Sequence, residues 1–538
     1  MGLPSFGFGN DYSTIVLSAG ALVIIAVHVL PYLVDTRGIR TIPGPWFAKF
    51  TDAWLGRVAA RGHRSEVVHK LHKQGTFVRL APNHVSIADP DALQTVYAHG
   101  NGSLKSNFYD AFVSIHRGVF NTRDRADHGR KRKIISHIFS LKSVLEFEPY
   151  IRLHLGELLE QWDKLVEGGK KGLSGKEGEG WFGKDEWVWF DCLPWYNYLA
   201  FDVIGDLSFG SPFGMVKAAK DIAPVARSQT DAMATYGNDK AEVDVEYFPA
   251  VRILNERGDY SASMGVLPPW VRPLLKKFHP WYRKGCTSTA NLAGLAIAAV
   301  SKRLRTPTDR VDLLSKLQQG KDDEGKPMGR PELTAEALTQ LIAGSDTTSN
   351  SSCAITYYLA LNPKAQSKLQ EELDEALGHE DDPIASSEIV KRLPYLEASI
   401  NEALRLHSPS AIGLPRIVPE GGLHVSGKFF PEGTVLSVPS YTIHRDPETW
   451  GNDVEAYRPE RWFEQDQVGI QKTFNPFSYG PRACVGKNLA NLELQIFIAT
   501  IFRRYTFVLE NPGKHFDTLE GFLRKPVSCR VGMKRREV

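Results

Sequence analysis

Residues 477–490 read FSYGPRACVGKNLA and set Cys484 among glycines, two places after an arginine. A thiolate in such a turn can approach a flat cofactor, because Gly480 and Gly486 carry no side chain that would collide with it. The apolar spacing of CVGKNLANLELQIFIATIF predicts a helix that begins at the cysteine, so its first N–H groups favour the anionic sulfur. Arg482 adds a cation suited to a carboxylate. These are the needs of a haem iron held by one sulfur, with a propionate held nearby. The other cysteines, Cys192, Cys286, Cys353 and Cys529, are far apart and form no CxxC pair, so neither a zinc site nor a redox dithiol is expected. Cys192 and Cys353 are expected as inert core thiols in a reduced, cytosol-facing protein.

The second constraint lies at the other end. From Tyr12 to Val34 no formally charged residue occurs, and as a helix the stretch extends roughly 35 Å, enough to cross a bilayer. Arg37 and Arg40 follow it and Asp11 precedes it, which leaves the C-terminal part on the cytosolic side. A cleaved secretory signal is the alternative, but the basic n-region is missing and the apolar run is long. His28 is expected as an interior or snorkelling side chain. The expected organisation is an N-terminal segment (1–11), a transmembrane anchor (12–34), a proline-rich connector (35–48) built around TIPGPW, and one catalytic domain (49–538). At 42% hydrophobic and 24% charged residues the domain can bury a core, and a net charge of +3 gives no support to a nucleic-acid partner.

Within the domain, TFVRLAPNHVSIAD (76–89) reads as a hairpin turning at Pro82-Asn83, and helical spacing is expected from about Leu104. EGGKKGLSGKEGEGWFGKDE (167–186) has no period and is expected as an exposed insertion. After Pro331, ELTAEALTQLIAG predicts a long buried helix. It should pass through the polar AGSDTTSN (343–350) with a local distortion, because apolar residues resume at Cys353. Short strands follow Pro409, so the fold class is mainly α with small β-sheets. The basic run Arg130 to Lys133 is expected as a solvated or partner-docking face.

FxxGxRxCxG, from Phe477 to Gly486, resembles the haem-binding loop of the cytochrome P-450 superfamily at every defined position. The resemblance extends from about Ile42 to the C-terminus and implies the P-450 fold behind a single N-terminal transmembrane helix. It implies haem b bound through Cys484, with Phe477, Arg482 and Gly486 in the haem loop. Glu402 and Arg405 in NEALRLHSP and Arg461 in YRPERW then form the family's structural charge cluster, with Trp462 where Phe is usual. AGxDTT implies that Thr347 hydrogen-bonds dioxygen at the haem and that Asp346 helps deliver protons. In DHGRKRK, His128 and Arg132 stand at the family's propionate-binding spacing, His128 where Trp is commoner, and Arg416 resembles a third propionate ligand. No GxGxxG dinucleotide fingerprint is present, so electrons are expected from elsewhere; the resemblance implies an NADPH-dependent reductase in the same endoplasmic reticulum membrane.

FYDAFVSIHRGVFNTRDR (108–125), FDVIGDLSFGSPFGM (201–215), LTQLIAGSDTTSN and GFLRKP (521–526) are similar to the fungal benzoate para-hydroxylase (benzoate 4-monooxygenase) family. That likeness implies oxidation of a small aromatic acid by O2. The implied pocket holds Tyr109 and its neighbours to Val119, then Thr339, Ile342 and Ala343, then Ala411, Ile412 and Leu414, and Phe522. Ser114, His116, Arg117 and Thr122 are the candidates to anchor the carboxylate, because burying an unpaired charge is costly. Three other readings are open: demethylation of a methoxylated benzoate or phenylpropanoid, a thiolate-haem isomerase or dehydratase, and a haem sensor. The last two would have no use for Asp346-Thr347.

Overall fold

Gly329 and Pro331 open a helix that runs unbroken for 32 residues, Arg330–Leu361, through the centre of the protein. The computed structural model describes residues 9–176, 179–236, 238, 242–305, 310–322, 324–464 and 467–537. The polar stretch does not stop the long helix, because its hydroxyls are satisfied one turn back: Ser345 donates to the Leu341 carbonyl and Ser351 to that of Thr347. The local distortion expected there does not interrupt the α-helix. Gly344 has a packing reason, since a Cβ there would lie 2.7 Å from Ile204 on the helix Leu193–Phe209, which crosses at that point.

Against this axis pack the helices Leu193–Phe209, Pro280–Arg305, Pro394–Leu406 and Lys487–Arg504, with Glu148–Lys170 packed on Leu193–Phe209 and Ala250–Val266 on Pro280–Arg305. The small sheets sit to the sides. Phe77–Ala81 and His84–Ile87 form the expected hairpin, extended by Val435–Ser437, Arg416–Ile417 and Leu104–Lys105 into a five-stranded mixed sheet. A second sheet joins Tyr505–Leu509, Arg530–Arg535, Trp187–Asp191 and Phe182–Lys184.

Several expectations need correction. No helix starts at Leu104: a two-residue strand leads into the 3-10 turn Asn107–Phe112, and the next helix is Arg125–Ser136. Phe108, Tyr109 and Phe112 there bury themselves against Ile412 as one cluster, not as a helical stripe. The 167–186 insertion is only partly free. Gly168 and Gly169 end a helix under Trp181 and Val188, and Phe182–Lys184 is an edge strand; residues 177–178 lie outside the described residues. Arg130 and Lys131 are not a solvated face, because both pair with Glu332 at the start of the long helix. Cys192, Cys353 and Cys529, distant in sequence, converge in the core with their sulfurs within 4.8 Å of one another.

The apolar N-terminal run forms helices Gly9–His28 and Leu30–Val34, and from Tyr12 to Val34 none of it is buried. It is long and apolar enough to cross a membrane. Its end is tied to the domain: His28 Nδ1 bonds the Phe50 carbonyl at 2.8 Å, and Tyr32 packs on Phe50. Of the N-terminal segment expected over 1–11, residues 1–8 lie outside the described residues.

Candidate active site

The cysteine loop is shaped by backbone. Gly480 adopts φ +71°, and a Cβ there would fall 1.9 Å from the Tyr97 carbonyl oxygen, so this glycine serves the turn and its neighbour and not, as expected, the approach of a cofactor. Gly486 does leave the sulfur open, with Cys484 Sγ the nearest atom, 3.9 Å from where its Cβ would be. The helix begins at Lys487, three residues later than the apolar pattern suggested. Cys484 therefore lies just ahead of the helix, with the N–H groups of Gly486 and Lys487 bonded to its sulfur. Burial still outweighs these donors and pushes the free thiol pKa up, so a thiolate here needs a cation bound directly to it. The sulfur is accessible although it lies deep in the protein, because it faces a cavity of about 290 Å³.

One wall of the cavity is the long helix, through Thr339, Ile342, Ala343 and Thr347. Opposite stands the cysteine loop, with Phe477, Arg482, Cys484 and Gly486. Ser114, His116, His128, Arg132, Leu414 and Phe522 also line it. The remaining pocket candidates do not. Tyr109 is spent on Arg416, whose Nη1 donates to its hydroxyl at 2.8 Å; Ala411 and Ile412 are packed in the core. Arg117 pairs with Asp110 at 2.8 Å, and Thr122 Oγ1 donates to the Gly118 carbonyl at 2.7 Å.

The surrounding charge tests whether haem fits. Lys105, Arg132 and Arg482 line the cavity and Arg416 stands next to Lys105 without lining it; none of the four pairs with a carboxylate among the described residues. The sheet register sets Lys105 directly opposite Arg416, an arrangement that like charges disfavour unless an anion lies between them. Burial first, then Arg416, Arg482 and Arg132, hold the Lys105 ammonium well below its usual pKa. Burial and Arg416 lower Arg482 to about 10, and burial with Arg482 and Lys105 lowers His128 to about 3, so this histidine is neutral. Arg416 Nη2 is buried with no partner, and Arg482 Nη1 reaches only the Thr122 carbonyl, at 2.6 Å. A cationic cluster lacking its anions, beside a lone accessible sulfur, suits the two propionates and the iron of a haem. Lys105 was not legible as part of it: SLKS carries no motif, and only strand pairing brings the lysine to Arg416.

The cytochrome P-450 family model matches residues 43–533. The chain is a cytochrome P-450 monooxygenase. It is 47% identical to benzoate 4-monooxygenase bphA of Aspergillus niger, over 96% of this chain and 97% of that one. A cytochrome P-450 monooxygenase of Aspergillus terreus is 30% identical (90% and 94% covered), and the monooxygenase atr2 of Stereocaulon alpinum 28% (99% and 98%). Membership of this family implies haem bound through a thiolate.

Behind the cysteine loop of this P-450, Glu402, Arg405 and Arg461 are wholly buried and joined. Arg405 grips the Glu402 carboxylate with Nε and Nη2, both at 2.9 Å, and Arg461 Nε adds a bond of 2.7 Å. Trp462, the departure from the usual Phe, has its own use, since its Nε1 donates to Glu402 Oε2 at 3.1 Å. Asp346 faces away from the cavity of the P-450. It accepts from Asn350 at 3.2 Å, and burial raises its pKa against the opposing charge of Lys525. Lys525 in turn pairs with Asp259 at 2.9 Å. Thr347 Oγ1 donates to the Ala343 carbonyl at 2.6 Å. Sequence reading also missed Arg257, a cavity-lining arginine on the helix Ala250–Val266.

Proposed function

We propose that this cytochrome P-450 hydroxylates benzoate: benzoate, O2, two electrons and two protons yield 4-hydroxybenzoate and water. The observation that carries this reading is 47% identity, over nearly the whole of both chains, to a protein named benzoate 4-monooxygenase. The cavity wall formed by the long helix, with Thr339, Ile342 and Ala343, and by Phe522 is largely apolar, which agrees with an aromatic ring. Cys484 would hold the haem iron, with Phe477 and Gly486 beside it. Lys105, Arg132, Arg416, Arg482 and neutral His128 would hold the propionates. Bound haem supplies the reductive activation of dioxygen and the insertion of one oxygen atom into a C–H bond.

The chain's own residues manage protons and exclude water. Thr347 Oγ1, its hydrogen directed to Ala343, is left able to accept a hydrogen bond from a group in the cavity. Asp346 holds a proton more readily than an exposed carboxyl because it is buried, and its hydrogen-bond partner is Asn350; a carboxyl kept in that state one residue from Thr347 supports a part in proton delivery. Thr347→Ala should leave haem content and benzoate affinity unchanged while product per NADPH falls by about one to two orders of magnitude and hydrogen peroxide rises in its place. Peroxide and product assays check this, and unchanged coupling would remove Thr347 from the proton route.

The electrons would come from an NADPH-dependent reductase, docked near the cysteine loop. The anchor at 12–34 would hold the domain 49–538 on the cytosolic face of the endoplasmic reticulum, by way of the connector 35–48. Trp46, Phe47 and Trp270 are exposed, and Trp270 lies at the anchor's end of the domain, which suits a membrane surface. A visible-spectrum titration tests the substrate, with benzoate beside neutral benzamide and a larger methoxylated aromatic acid. Benzoate is expected to shift the spin state. A shift with the methoxylated acid and none with benzoate would keep the monooxygenase and overturn the benzoate assignment.

A further inference from the structure

Helix Ala250–Val266 buries Ala250, Ile253, Leu254, Tyr260 and Met264 along one face, and Arg257 falls in the middle of that apolar stripe. The side chain is 6% exposed and borders the cavity. Its Nη2 donates to the Phe112 carbonyl at 2.8 Å, and the guanidinium lies 5.2 Å from the centre of the Phe112 ring. Nε is buried without a partner, and no carboxylate among the described residues pairs with this arginine. Burial lowers its pKa only to about 10, so the group is charged at neutral pH.

An unopposed cation of this kind is destabilising unless an anion joins it. The proposed propionate site has its own cations, Lys105, Arg132, Arg416 and Arg482, grouped with one another and with the sulfur, whereas Arg257 comes from the helix Ala250–Val266 and holds the Phe112 carbonyl. Two residues beyond Phe112, Ser114 presents a second unused donor, its Oγ buried, unpartnered and on the same cavity. Gln340 Nε2 is also unpartnered there but carries no charge to offset one.

We infer that Arg257, assisted by Ser114, receives the carboxylate of the aromatic acid substrate. The inference rests on the proposed function and adds the group that makes the pocket select an acid. It keeps Ser114 from the loop that also carries His116, Arg117 and Thr122, and adds a residue from the helix Ala250–Val266 as the main anchor. Arg117 is already neutralised by Asp110.

The test uses the full-length holoprotein with Arg257→Met and Arg257→Lys, each first required to keep the carbon-monoxide spectrum of thiolate haem. Equilibrium dialysis with radiolabelled benzoate and spin-state titration then compare benzoate with benzamide. Arg257→Met should raise the benzoate Kd about 100-fold while the benzamide Kd moves by less than about threefold, and Arg257→Lys should recover part of the loss. Unchanged benzoate binding would overturn the inference. So would equal loss of both ligands, because an arginine that only props the Phe112 carbonyl would disturb acid and amide alike. If the wild type binds the methoxylated acid and not benzoate, the benzoate reading falls and the same comparison, made with that acid and its amide, decides Arg257. If no aromatic acid binds, both fall.

Discussion

Cys484→Ser should abolish the carbon-monoxide spectrum of thiolate haem and lower monooxygenase turnover by at least about a thousandfold. Little else in the loop should change. Cys484 N donates to the Phe477 carbonyl at 2.8 Å, a bond that serine keeps, and the turn is set by Gly480 and Tyr97, which the substitution does not touch. The chemistry changes completely, because an alcohol at this position stays protonated where a thiol beside iron does not. The burial that pushes the free thiol pKa up acts on the hydroxyl as well, and the Gly486 and Lys487 N–H groups cannot offset it. The check is a reduced carbon-monoxide difference spectrum beside thermal unfolding of the haem-free proteins, whose stabilities are expected to agree within about 1 kcal/mol. A surviving thiolate spectrum would mean that another cysteine holds the iron. Cys192, Cys286, Cys353 and Cys529 do not border the cavity, so none of them is positioned to do so.

Glu402→Ala should prevent recovery of folded haem protein. Glu402 has two guanidinium partners and the Trp462 indole N–H, and all three charged residues are wholly buried. Removing the carboxylate strands Arg405 in the core and leaves Arg461 with the partly exposed Asp453 as its remaining carboxylate, at a cost of roughly 3–5 kcal/mol. That is comparable with the whole stability of many domains, about 5–15 kcal/mol. The remaining partners of Arg405 and Arg461 are mostly backbone carbonyls, such as those of His444 and Trp450, which cannot replace a full charge. Glu402→Gln, which keeps shape and loses charge, should fold poorly but better than the alanine variant. Soluble yield, haem content and urea unfolding of both variants measure this. An alanine variant as stable as wild type would show that the cluster does not support the fold.

Local pattern carried much of this protein. The cysteine loop, the ExxR pair, the long helix and the apolar run at 12–34 are legible because each depends on neighbours three or four residues away, or on an unbroken composition. Errors arose where a residue answers to a distant partner. Gly480 looked like room for a cofactor and instead makes room for the Tyr97 carbonyl. Helical spacing after Leu104 dissolved because Phe108, Tyr109 and Phe112 face Ile412, some 300 residues away. The expected basic face became an ion-pair cluster once the long helix brought Glu332 to Arg130 and Lys131.

The sequence by itself determined the reaction class, since one cysteine in a glycine-punctuated loop, with an arginine beside it and Asp-Thr on a helix, is specified by short-range chemistry. Only the tertiary structure decided which cations surround the cavity and which remain unmatched. Lys105 meets Arg416 through strand pairing across about 300 residues, and Arg257 borders the cavity with Nε unpartnered and with no carboxylate paired to it among the described residues. Coulomb interactions and burial depend on distance in space, and the order of residues along the chain does not encode that distance.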